Sequence, residues 1–217
     1  MTQGSDLIEL EASVDGTRLL FRPISPRDVP LIREGFERLS EESRYRRFFR
    51  HIDHLSEKEL RYLTEVDFVD HVAWVVVAPD EPGRPGIGVA RWIRIRDEPD
   101  VAEGAVTVID DWQGRGIGKT LLVVLARSAR ARGIRAFRAW VLGENRPILS
   151  VLEDAGAQRG KWEQGVLQVD VPLPEDLTDL AATGAPLVLR EVARGRLQAE
   201  ARPEGGAGVR LAQGEGT

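Results

Sequence analysis

Apolar positions change their period along this chain, and each change marks an element. Leu19, Leu20 and Phe21 lie in a β-prone run over 17–22 that Pro23 ends. Ser25, followed by Pro26 and by Asp28 at the capping-box offset, then opens a helix. Leu31, Ile32, Phe36 and Leu39 recur on one face of it, with Gly35 among them. Ser40 starts a second helix with a stripe of Tyr45, Phe48, Phe49 and Ile52, and Ser56 with Glu59 opens a third that carries Leu60 and Leu63. The period then shortens to that of strands over 72–78, 86–95 and 102–109, separated by Pro/Gly and acidic clusters, which predicts a three-stranded meander. After Trp112 the helical period returns in Leu121, Leu122, Leu125, Ala126 and Ala129, and Gly133 stands where a helix-ending glycine belongs. A strand over 136–141, a helix over 147–154 ended near Gly156, and a hairpin of 158–161 and 166–171 turning at Gly165 follow. The strand-helix-strand order across 102–141 predicts one parallel pair in an otherwise antiparallel sheet.

Pro172 and Pro174 close the patterned region. Beyond it, 186–199 is compatible with one peripheral helix, while 203–217 is mostly Gly, Ala and polar residues, too poor in apolar surface to offset the entropy of ordering. These limits predict an extension over 1–15, one domain over 16–174 and a second extension over 175–217. A chain of 217 residues with 42% hydrophobic content can bury one ordinary core. No apolar run approaches the roughly 18 residues of a membrane span, and the first ten residues lack a basic-then-apolar leader pattern, so the expected location is the cytoplasm. The chain has no cysteine, which removes disulfides, thiolate metal sites and a thiol nucleophile together. Its net charge of -5 argues against a general nucleic-acid binder.

Chemistry concentrates in the junction from Ile109 through Asp110, Asp111 and Trp112 to Gln113, Gly114, Arg115, Gly116, Ile117, Gly118 and Lys119, between a strand and a helix. Three glycines there let the backbone turn tightly and bring N–H groups close to an anion, and the helix N-terminus adds partial positive charge. A diphosphate suits such a cradle, with Arg115 and Lys119 as cations at its rim. The spacing meets neither the dinucleotide fingerprint G-x-G-x-x-G nor the G-x-x-x-x-G-K-[ST] of a P-loop, because only three residues separate Gly114 from Gly118.

Gln113-Gly114-Arg115-Gly116-Ile117-Gly118 resembles the Q/R-x-x-G-x-G/A signature of the GNAT superfamily of acyl-CoA N-acyltransferases. The order of elements from Arg18 to Val171 is similar to that fold: an α/β (α+β) architecture with a mixed, mostly antiparallel sheet of about seven strands flanked by helices. The resemblance implies a diphosphate loop between the fourth strand and the third main helix, and a splay between the fourth and fifth strands. More narrowly, Glu41–Phe49, Ala102-Glu103 with Val106-Thr107-Val108, and Glu144-Asn145-Arg146-Pro147 resemble the acetyltransferase domain of bacterial Pat-type protein lysine acetyltransferases.

That resemblance implies acetyl-CoA as cosubstrate, with its pantetheine arm beside Val106, Thr107 and Val108, a backbone N–H near Val108 polarising the thioester carbonyl, and Asn145 touching the coenzyme from the following loop. It also implies that Glu103 is the general base that frees the acceptor amine of its proton, through water. The superfamily's usual tyrosine acid is replaced by Leu152, as in the Pat-type subgroup, and solvent can serve because a coenzyme thiol leaves readily. Asp110 and Asp111 would repel the anion they precede and are read as structural. His71 is a possible proton relay or a hydrogen-bonded structural residue. His51 and His54 lack a third ligand, and no metal is expected. Arg44, Arg46, Arg47 and Arg50 are read as the solvated face of a helix whose aromatics face inward, and Trp92, Trp112 and Trp140 as core or sheet residues. The expected activity is transfer of an acetyl group to a primary amine. Protein lysine, small-molecule amine and a non-catalytic acyl-CoA sensor stay open as readings, as does the oligomeric state.

Overall fold

A computed structural model of the protein describes residues 9–174. Eight strands form one sheet in the order β1-β2-β3-β4-β5-β6-β8-β7. They are β1 (Leu10–Val14), β2 (Thr17–Pro23), β3 (His71–Val77), β4 (Gly86–Ile95), β5 (Glu98–Val108), β6 (Ala136–Leu142), β7 (Gln158–Glu163) and β8 (Val166–Pro172). The helices are α1 (Val29–Glu37), α2 (Glu41–Phe48), α3 (Glu57–Thr64), α4 (Ile117–Arg130) and α5 (Arg146–Asp154). The β5/β6 pair is parallel and every other ladder is antiparallel. The mostly antiparallel α/β architecture and its single parallel pair are as expected from the sequence.

The sheet has one strand more than expected. Leu10–Val14, read from the sequence as part of an extension, pairs with β2 through a turn in which Asp15 (φ 50°) and Gly16 (φ 82°) both take left-handed backbone. That is the Asp-Gly turn favoured by two-residue hairpins. The first helix also starts later than Ser25 suggests, because Pro26–Asp28 forms a separate 3-10 turn before α1. There Asp28 accepts from the Ser25 amide (2.8 Å) and from both arms of the Arg22 guanidinium (2.8 and 2.7 Å). The segments 175–217, with the helix and tail expected there, lie outside the described residues.

Alternation along the strands sends side chains to two layers. Trp74, Trp92, Leu121, Leu125 and Ile134 meet in the main core between the sheet and α4. Ile24, Ala73, Val75 and Val77 face the other way, against Leu31 and Ile32 of α1, and Phe36, Leu55, Leu60 and Leu63 join α1 to α3. Each such side chain contributes about 1.5–3 kcal/mol by leaving water. Trp92 is fully enclosed, its indole N–H donating to Ser128 Oγ (3.0 Å), while Trp140 lies in β6 with 40% exposure.

The helix α2 departs from the expected division into apolar and solvated faces. It ends at Phe48, and Phe49 caps it in left-handed backbone (φ 54°), exposed, so Phe49 and Ile52 are not part of a helical stripe. Phe48 packs edge-on to Phe36 at 5.8 Å. Arg44 is half-buried rather than fully solvated: it lies over the Phe36 ring at 4.6 Å and donates to the carbonyls of Phe36 and Glu37. Arg47 is likewise half-buried and faces the space between α2 and the sheet.

Candidate active site

Two structural facts set up the site: β5 and β6 diverge past Glu103, and α4 begins beside the far end of the opened edge, at Val108. The parallel ladder covers only Val101↔Ala136, Ala102↔Phe137 and Glu103↔Arg138. Beyond it, Phe137 wedges over Gly104, where an added Cβ would come within 3.3 Å of the ring carbon Cγ. From Gly104 to Val108 the β6-facing edge of β5 is therefore open.

The phase of the β4/β5 ladder decides which groups line that gap. Ile109 N–H donates to Ile87 O (3.0 Å) and Thr107 stands opposite Val89, so alternate residues including Thr107 turn their backbone groups to β4. The backbone groups of Val106 and Val108 point into the gap. This narrows the expectation for the three residues: Thr107 has its backbone in the ladder, and its side chain lines the cleft on the helical side of the sheet. The Val108 N–H, the donor that the family resemblance implies, points into that gap.

The loop to α4 is stitched by polar contacts. Asp110 accepts from Ser40 N (2.6 Å), Ser43 Oγ (2.5 Å) and Gln113 Nε2 (3.1 Å), and Gln113 Nε2 also donates to Val108 O (3.0 Å). Burial opposes the charge of Asp110, yet the bonds from Ser43 and Ser40 outweigh it and hold the carboxyl below its usual range. Asp110 thus has the structural duty expected of it, and the Gln113 side chain shares that duty. Arg115 donates to Asp111 O (3.0 Å), lies over the Trp112 ring at 4.8 Å and reaches Asp15 at 3.6 Å, so its guanidinium anchors the loop.

Gly114 (φ 75°) and Gly116 (φ 81°) need their glycine because the chain is left-handed there. Gly116 is the N-cap of α4, with no side-chain cap, and the first intrahelical bond runs from Thr120 N to Gly116 O (3.0 Å). The amides at the start of α4, from Ile117 through Gly118, consequently lack helical acceptors and point out along the axis. Gly118 differs from the sequence expectation that it serves the turn. It lies within the helix, and a Cβ there would meet only Val108 Cγ2 at an ordinary 3.8 Å. Asn145 lies just before α5, and its carbonyl accepts from Leu149 N (3.2 Å). Leu152 is buried in the main core.

Glu103, Ala105 and Thr107 share the helical face of β5, and Glu103 is exposed there. The cleft between this face and α1–α3 is mainly apolar, lined by Phe36, Leu39, Phe48 and Val89 among others, but two arginines enter it, Arg47 and Arg91. Arg91 is 5% exposed, contacts His71 Nε2 (3.2 Å) and donates to Leu63 O (3.0 Å). Burial, and then the neighbouring Arg47 charge, pull its pKa down to about 9. Burial likewise lowers Arg47, against the pull of the Glu103 carboxylate. His71 falls to about 4 through burial and the Arg91 charge, so it is neutral near pH 7 and its Nε2 accepts from Arg91. Neither arginine figured among the sequence-derived site residues. A signal existed for Arg91, which shares a strand face with Val89 and Ile93 in an otherwise apolar segment. Among the described residues no group of three His, Cys, Asp or Glu side chains could hold a metal, and His51 Nδ1 lies 3.1 Å from Glu41.

Known proteins share this arrangement. The family description Acetyltransferase (GNAT) domain matches residues 18–158. The chain is 36% identical over 159 residues to the acetyltransferase Pat of Mycolicibacterium smegmatis, covering 73% of this chain and 47% of that protein, so it spans about half the length of that relative. It is 31% identical over 126 residues to the acetyltransferase PA5475 of Pseudomonas aeruginosa, covering 58% and 67% of the two. The crystal structure of the GNAT domain of S. lividans PAT superposes with a TM-score of 0.69 at 36% identity, covering 76% of this chain and 97% of that one. At 17% identity and a TM-score of 0.56, covering 72% of this chain and 95% of the other, yncA of Salmonella typhimurium, solved with acetyl-CoA, shares the fold. An open strand edge beside an uncapped, glycine-led helix, together with the match across residues 18–158, establishes that this chain belongs to the GNAT acetyltransferase family.

Proposed function

We propose that the chain transfers the acetyl group of acetyl-CoA to the side-chain amine of a protein lysine, with Glu103 as general base. The observation that carries this reading is the open β6-facing edge of β5, ending where the amides of α4 emerge. The amides from Gly114 to Lys119 would receive the diphosphate, favoured by the helix dipole. Support comes from Gly118: neither its φ nor protein packing requires a glycine, whereas a close anion would. Acetyl-CoA supplies the thioester. Backbone groups of Val106 would pair with the pantetheine arm, as an edge strand does with an added strand, since Val108 O already accepts from Gln113 Nε2. The Val108 N–H then faces the thioester oxygen and stabilises the negative charge that develops as the amine attacks. Glu103, exposed on the cleft face, takes the ammonium proton through water. Asn145 would contact the coenzyme from the loop just before α5.

A small-molecule amine is the second reading, favoured by the depth of the cleft, whose wall includes the nearly inaccessible Arg91. Work in the cytoplasm accords with a chain free of cysteine. The test is release of free coenzyme thiol on incubation with acetyl-CoA and panels of lysine peptides and small amines. The protein contributes no thiol of its own to that assay. Turnover with peptides supports protein lysine, turnover with small amines alone supports the second reading, and turnover with neither defeats both.

A further inference from the structure

Arg91 is a buried cation without a counter-ion. Its side chain is nearly inaccessible, its hydrogen-bond partners are a neutral imidazole and a carbonyl, and among the described residues neither it nor Arg47 forms a salt bridge, although the Glu103 carboxylate attracts Arg47 from a distance. The two guanidinium groups repel each other through a largely apolar cleft. Other arginines of the fold contrast sharply: Arg22 is forked onto Asp28, and Arg138 is bound by both Glu98 and Asp170. A buried, unpaired charge is costly, and the usual resolution is an anion. Glu103 does not fill the role. It shares the strand face with Arg91, but it pairs in register with Ile93 rather than Arg91 and stays exposed.

We infer that Arg47 and Arg91 form an anion subsite for the acyl acceptor, which carries a carboxylate next to the amine that is acetylated. This deepens the reading of the cleft as the acceptor site and rests on it. Arg91 and Glu103 stand diagonally across the β4/β5 ladder on one face, their Cα atoms about 7–8 Å apart by strand geometry. The acceptor's amine near Glu103 and its carboxylate near the arginines therefore lie close in space, within one cleft. Arg47 supplies the accessible rim of the subsite and Arg91 its floor. A γ-amino acid spans such a gap through its own chain, and a lysine can fold its ammonium toward the carboxylate of an adjacent acidic residue; the carboxylate is common to both.

The test compares ligands that differ only in that charge, by calorimetry on the protein saturated with CoA. One pair is γ-aminobutyrate and γ-aminobutyramide; the other is a glutamyl-lysine peptide and its glutaminyl-lysine counterpart. The carboxylate member of at least one pair should bind about 10-fold or more tightly, as expected of a charge-assisted bond in a sheltered site. Which pair discriminates identifies the source of the carboxylate. In Arg47→Gln the preference should shrink to about 3-fold or less, while CoA affinity is unchanged, and in Arg91→Met it should vanish. Arg47→Gln keeps the test decisive if Arg91→Met fails to fold. Equal affinity or no binding in both pairs overturns the subsite, as does a preference that survives Arg47→Gln. Because binding is read without turnover, discrimination without thiol release on any acceptor would sink the transferase reading and leave the subsite standing.

Discussion

Replacing Gly116 by Ala separates the ligand role of the α4 N-terminus from its role in folding. Gly116 holds φ 81°, where a Cβ costs about 1–2 kcal/mol, partly offset by roughly 0.4–1 kcal/mol from the stiffer unfolded chain. The net loss of stability is about 1 kcal/mol, or some 2–4 °C in Tm for a domain of this size. Relief of the strain would rotate the peptide that aims the first helical amides. Losing one or two amide bonds to a diphosphate, at about 1.5–3 kcal/mol each, weakens acetyl-CoA by roughly 10- to 10⁴-fold. Gly133 provides the control: it ends the same helix with φ 79° and open space around it, so Gly133→Ala carries a similar strain far from the ligand. Differential scanning calorimetry and acetyl-CoA titration on both variants should give matched falls in Tm but a loss of affinity in Gly116→Ala alone. Unchanged affinity in Gly116→Ala, or an equal loss in Gly133→Ala, would refute the reasoning.

Other expectations follow from the same geometry. Glu103→Gln should lower turnover by roughly 10²–10⁴-fold with coenzyme affinity intact, measured by thiol release beside direct titration; unimpaired turnover would remove Glu103 from the mechanism. Asp110→Ala, which releases Ser40, Ser43 and Gln113, should cost about 1–3 kcal/mol at pH 7 in urea titrations. Since its folded pKa is depressed, that advantage is full above the unfolded value of about 4 and is lost as pH falls through the folded one, so wild type and variant should converge in acid. His71 titrates near 4 in the fold against 6.5 unfolded, so the protein should lose stability as pH drops from 6.5 toward 4, and His71→Asn should flatten that slope, by at most about 3 kcal/mol. A slope unchanged in the variant would count against a buried, neutral His71.

The sheet and its helices were largely legible because the period of their apolar residues is long and regular, as in β4 and α4. The glycine-led junction was legible because its conformation demands glycine at Gly114 and Gly116. What escaped was set by contacts between distant segments. Leu10–Val14 is short and half polar, and only its Asp15-Gly16 turn betrays it. The inward turn of Arg44 and Arg47 could not be read from α2, since each is taken up by a partner on another element: Phe36 of α1 for the one, the cleft beside β5 for the other. Whether Thr107 offers its backbone to the gap depends on ladder phase, which the bond from Ile109 N–H to Ile87 O fixes and the sequence does not display. The same holds for Gln113, whose side chain closes onto Val108 and Asp110.

A crystal structure of the protein with bound CoA tests the central claim most directly. The account predicts diphosphate oxygens about 2.7–3.2 Å from amide nitrogens between Gly114 and Lys119, with the pantetheine arm paired to Val106 in the gap beside β6. A diphosphate held elsewhere, or a β5 edge closed against β6 with the coenzyme outside it, would contradict it.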